Sequence, residues 1–171
     1  VFEREFKELG FSTQWLDGRS FNRAGHLVAQ YGTRGPKILL IGHLDTVFAE
    51  DSPFPNMQLI SADKASGPGI TDMKGGDVII VQALRAVRAS GQLDNLSIRV
   101  VLTGDEENSG DPTSLSKQAL LEAGQWADIA IGFEDGDGNP KTAAISRRGA
   151  SGWQLEVKGK PAHSSQIFQP D

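Results

Sequence analysis

Four places in this 171-residue chain hold residues that could carry metal-assisted acid–base chemistry. His43 and Asp45 flank Leu44 in KILLIGHLDTV, and Asp72 lies in GPGITDMKGG. Glu106 and Glu107 adjoin in TGDEENSG, and Glu134 follows Gly132-Phe133. Residues two apart on an extended chain point to the same side, so the imidazole and carboxylate of the first pair can face one spot. A carboxylate beside an imidazole fixes its tautomer and raises its basicity, the usual support of a ligating histidine. Glycines on both sides of Asp72 let the backbone turn tightly and bring a carboxylate into a crowded place. One imidazole with several carboxylates suits zinc or another borderline divalent ion, with His43, Asp72, Glu107 and Glu134 as the candidate ligands. One carboxylate bridging two ions about 3.5–4 Å apart is a recurring hydrolytic arrangement. Of the adjacent glutamates, one can bind metal while the other moves a proton.

The elements that must position these groups can be read from periodicity. Residues 2–10 read as the last turns of a helix closed by Gly10, then FSTQWLDG and FNRAGHLVAQYG as two antiparallel strands. An apolar strand over 37–42 ends at His43. Residues 53–70 read as a loop with three prolines. A helix follows, with Val78, Val81, Leu84, Ala83 and Val87 on its apolar face and Gly91 as its stop. Next come a strand over 97–103, a loop over 104–112, a helix over 113–123 and a strand over 127–133. Segments 142–148 and 150–159 read as two further strands. Strands separated by helices imply an α/β fold with a largely parallel sheet covered on both faces. His43 and Asp45, the glutamate pair and Glu134 then follow the carboxyl ends of three strands, where open α/β sheets bind ligands.

Composition narrows the classes further. Apolar content of 38% and charged content of 23% describe a globular chain with enough length for a core. A net charge of −5 leaves no basic footprint for nucleic acid or anionic membranes, and no apolar run reaches the length of a membrane span. There is no cysteine, so thiolate metal sites and disulfides are excluded. Singly, each motif has a plainer explanation. DEEN could be a solvated acidic turn, and GPGITDMKGG lacks the phosphate-loop pattern. DGDGNP has Pro140 and Ser146 where a calcium loop needs glycine and glutamate. His26 is expected on a strand away from the acidic rim, in a structural role.

Together, GHLDTV, GITDMKGGD, TGDEENSG, GFED and GKPAHSS occur in the order of the signature segments of the M20 metallopeptidases. Over roughly residues 25–170 the chain resembles that family, closest to its glutamate carboxypeptidase branch. The family also includes acetylornithine deacetylases, succinyl-diaminopimelate desuccinylases and aminoacylases. The resemblance implies a three-layer α/β/α zinc-exopeptidase-like catalytic domain over 1–148. It also implies the start of a ferredoxin-like dimerisation lid over 149–171. It implies two zinc ions per complete subunit, with cobalt as a possible substitute. His43 and Glu134 would hold one ion, Asp72 would bridge, followed by a cis peptide bond, and Glu107 would hold the second. Asp45 would orient His43, Glu106 would be the general base, and His163 would reach a partner subunit's site to steady the oxyanion.

The implied activity is cleavage of a peptide or amide bond beside a free carboxylate, acting on a small peptide or an N-acyl amino acid in a homodimer. The alternatives are an N-acyl-amino-acid deacylase and, from another class, a catalytically silent peptide-binding homologue. The family's second ion needs one more histidine, whereas this chain holds only His26, His43 and His163. The sequence starts at Val1 and stops in a loop, so the expectation is a protein about twice as long, with these 171 residues inactive alone. Its compartment is open between cytoplasm and, after loss of a signal peptide, periplasm or exterior.

Overall fold

The computed structural model describes residues 1–54, 56–139, 141–146, 148–149, 151–159 and 163. It divides into two units, residues 1–140 and 141–171. The first unit is built on a five-stranded sheet. Its strands are β1 (Ser12–Asp17), β2 (Gly25–Tyr31), β3 (Lys37–His43), β6 (Ser97–Thr103) and β7 (Ile129–Gly132), in the spatial order β1-β2-β6-β3-β7. β3 pairs in parallel with both β6 and β7, while β2 runs antiparallel to β6 and β1 antiparallel to β2.

Register decides what this sheet can do. His43 stands opposite Thr103, and Ile41 opposite Gly132, so β3, β6 and β7 end along one edge. The loops leaving that edge carry Asp45, Glu106, Glu107 and Glu134. The reversed β2 starts at the same edge, since its Leu27 is opposite Leu102.

Alternation along the strands sends side chains to two layers. Ile98, Val100 and Leu102 of β6 and Leu40 of β3 pack with Phe6, Ile80, Val81 and Leu84 from α1 (Phe2–Glu8) and α2 (Gly75–Ala89). Leu39 and Val101 face the other way, against Ala123 and Leu120 of α4 (Gln118–Trp126). Helices therefore cover both faces, as expected for the α/β class.

Three local expectations change. The buried stripe of α2 is Asp77, Ile80, Val81 and Leu84, while Val78 is half exposed. Spacing the stripe from position 77 instead of 78 rotates it by one residue. The segment 53–70 is not all loop, because β4 (Gln58–Ser61) and β5 (Lys64–Ser66) form a small antiparallel hairpin. The expected helix over 113–123 is two, α3 (Thr113–Ser116) and α4, divided at Lys117.

In the second unit, no strand forms among the described residues of 142–159. Trp153, Leu155 and Val157 do alternate, but they are exposed. Alternation defines a face, and a lone extended pair is marginal without a packed layer. Residues 160–162 and 164–171, most of the GKPAHSS segment and the rest of the expected lid, lie outside the described residues.

Candidate metal centre

His43 is buried at the rim, 1% exposed. Its two nitrogens face different ways. Nδ1 lies 3.1 Å from the Asp45 carbonyl oxygen and donates to it. Nε2 faces carboxylates, with Asp72 Oδ1 at 2.9 Å and Glu134 Oε1 at 3.4 Å. One ligand atom from each of His43, Asp72 and Glu134 falls within 4.8 Å of the others, a spacing that one ion could bridge. Burial pushes the His43 imidazole down, but Asp72, Glu134 and Asp45 outweigh it and hold the pKa above the ordinary value. Nε2 thus points into the same group of carboxylate oxygens that a cation would need.

Backbone geometry presents Asp72. The turn Ile70–Lys74 leads into α2, with Asp72 itself extended at φ −114° and ψ 97°. Its peptide bond to Met73 is cis, as the resemblance implies. Gly69 sits at φ +69°, and a Cβ there would stand 2.5 Å from the Thr46 methyl and 2.6 Å from Lys74 Nζ. Only glycine lets the loop approach this closely.

Asp45 ties two loops together. Its carboxylate accepts the Glu106 amide at 3.2 Å and the Glu107 amide at 3.0 Å. Its carboxylate also lies 3.4 Å from His43 Nδ1, so the shorter contact to the imidazole comes from the backbone carbonyl. The adjacent glutamates then enter different recesses. Glu106 lines one of about 320 Å³ together with His43 and Glu134. Glu107 lines another of about 220 Å³ together with Asp72. Burial raises the Glu107 pKa, and Asp72, Glu106 and Asp45 add to it. Burial likewise raises that of Glu134, with Asp72 and Glu106 adding. Carboxylates crowded with little positive charge want a cation. His163 belongs to the second unit and is exposed.

Two acids escaped the sequence analysis. Asp105, fully buried, accepts the Gly110 amide at 2.9 Å and pairs with Lys117 at 2.9 Å. Burial pushes its carboxyl up, but these bonds outweigh burial and hold it below the usual range. It braces the loop that carries the two glutamates. Asp77 is also fully buried, and burial lifts its carboxyl to about 7. Its signal was the 77-80-81-84 spacing of α2, which places an acid on the core face.

His26 is structural, but at the rim instead of away from it, because β2 runs in reverse. The Gly104 amide donates to its Nδ1 at 3.1 Å, leaving Nε2 protonated to donate to the Ser116 carbonyl at 2.8 Å. Its ring stacks on Phe21 at 5.0 Å.

Residues 39–157, most of the chain and the rim ends of β3, β6 and β7, match the peptidase family M20/M25/M40. The chain belongs to that family. It is 29% identical over 163 residues to carboxypeptidase G2 of Pseudomonas sp. (strain RS-16), covering 95% of this chain and 39% of that protein. It is 33% identical over 144 residues to a probable succinyl-diaminopimelate desuccinylase of Staphylococcus epidermidis, covering 82% and 34%. Among solved structures, the M20 family metallo-carboxypeptidase Sso-CP2 from Sulfolobus solfataricus superposes with a TM-score of 0.60 at 17% identity, over 78% of this chain and 31% of that one. Human carnosine dipeptidase 1 gives 0.59 at 20% identity, over 75% and 30%. These structural likenesses confirm the M20 catalytic-domain architecture. This M20 chain spans little more than a third of the length of the two relatives.

Proposed function

We propose that this chain is the amino-terminal part of a metal-dependent hydrolase of peptide or amide bonds, acting beside a free carboxylate. The observation that supports it most is the convergence of His43, Asp72 and Glu134 within 4.8 Å, with Glu106 in the same recess as His43. His43 and Glu134 would hold one divalent ion, Asp72 would bridge, and Glu107 would contribute to a second, with zinc the best match to this donor set. Such an ion supplies Lewis acidity toward the scissile carbonyl and eases deprotonation of a water. Glu106 accepts the proton of the attacking water and returns it to the leaving nitrogen. Asp45 holds the amides of Glu106 and Glu107, which fixes the backbone that carries both carboxylates. A dimerisation lid beginning near residue 149, with His163 stabilising the oxyanion of a partner's site, completes the proposal.

The relative named a desuccinylase favours a second substrate class, N-acyl amino acids. Screening zinc-loaded full-length protein against dipeptides, carboxy-terminal glutamate conjugates and N-acyl amino acids separates the two. Glu106→Gln is expected to lower turnover by at least ~10²-fold. Metal analysis should still find about two ions per complete chain, as for a two-metal site. Loss of metal along with turnover would assign Glu106 to binding and overturn its role as base.

A further inference from the structure

Asp77 lies in the first turn of α2, fully buried, and neither carboxylate oxygen has a hydrogen-bond partner among the described residues. It sits directly under the rim. A Cβ added to Gly42, the residue before His43, would stand 2.2 Å from Asp77 Oδ1. The carboxylate thus occupies the room that a side chain at 42 would take. The same point lies 3.0 Å from Leu102 Cδ2 and 3.0 Å from Met73 Cε, so apolar side chains border the space that the carboxylate enters. The charged groups that act on Asp77 are His43, Lys74 and Glu134. Two of these three belong to the candidate metal cluster. An unpartnered buried carboxylate is costly, and leucine or asparagine would fill the place more cheaply. The acid would become favourable if His43 and Glu134 held a divalent ion nearby.

Resting on the metal centre of the proposed function, we infer that Asp77 is a buried counter-charge that strengthens ion binding without being a ligand. It is a positioning residue in an electrostatic sense, acting across the gap that Gly42 leaves open. A packing residue would affect metal-free and metal-loaded protein alike. A counter-charge affects them oppositely.

The test uses full-length protein, with zinc affinity measured by competition against a chelating indicator and thermal unfolding followed with and without zinc. Asp77→Asn is expected to weaken zinc binding by about 10-fold or more. At pH 8 it should raise the melting temperature of the metal-free protein and shrink the rise that zinc produces. A second variant, Gly42→Ala with Asp77→Ala, exchanges the carboxylate for apolar volume and is expected to show the same weakened affinity. Unchanged affinity in both variants, or equal melting shifts with and without zinc, overturns the inference alone. A parent protein that binds no divalent ion overturns it together with the metal centre.

Discussion

At the scale of single residues, the rim divides into groups whose type announced them and groups whose surroundings matter more. His43, Asp72 and Glu134 were legible because each is a ligand-type side chain beside a strand end or a glycine-rich turn. Asp105 and Asp77 were not, because an acid inside an acidic motif or a helical turn defaults to solvent. Burial reverses that default, in opposite directions for the two. Asp105 found an amide and a lysine. Asp77 found neither, and its carboxyl rises from 3.8 to about 7. Between those values the folded, metal-free protein keeps a proton that the unfolded chain has released, so stability declines as pH rises through that window. Above pH 7 the decline ends. Melting temperatures of full-length protein in chelator from pH 4 to 8 should show this slope, and Asp77→Asn should make it shallower, leaving the same-sign contributions of His43, Glu107 and Glu134. An identical slope in the variant would place the titration elsewhere.

At the scale of elements, apolar runs between turn signals located β3, β6 and β7, since buried parallel strands read as continuous apolar segments. The hairpin β4–β5 was hidden because its residues are almost all exposed, leaving no alternation to detect. The break between α3 and α4 was hidden for another reason. Lys117 turns back to the Asp105 carbonyl at 2.8 Å and to its carboxylate, a tertiary contact without local sequence signal. Strand direction was the hardest feature to read. His26 lies on a strand by periodicity, but only the reversal of β2 places it at the rim, between the Gly104 amide and the Ser116 carbonyl. Replacing it leaves a buried donor and a buried acceptor unmet. His26→Leu is expected to cost about 2–4 kcal/mol, at roughly 1–3 kcal/mol per orphaned group. Chemical denaturation of the full-length variant measures this, and a loss below about 0.5 kcal/mol would show that the brace is dispensable.

At the scale of the molecule, the sheet has an exposed apolar edge. Among the described residues β7 pairs on one side only, with β3, and all four of its residues are exposed, with Ile129 at 56% and Ile131 at 43%. An apolar edge strand with a free ladder recruits other edges. The 171-residue polypeptide alone is therefore expected to self-associate and bind a hydrophobic dye. Ile131→Lys should raise its monomer fraction in light scattering, and no change would locate the association elsewhere. The shared ending of three strands has a consequence in time. Nε2 of His43 meets Asp72 across 29 residues, and the Gly104 amide meets His26 across 78. Each such closure carries an entropic cost before any contact rewards it. The proposed ion-binding cluster is thus expected to form late in folding, so that metal added to the unfolded chain finds no preformed nucleus.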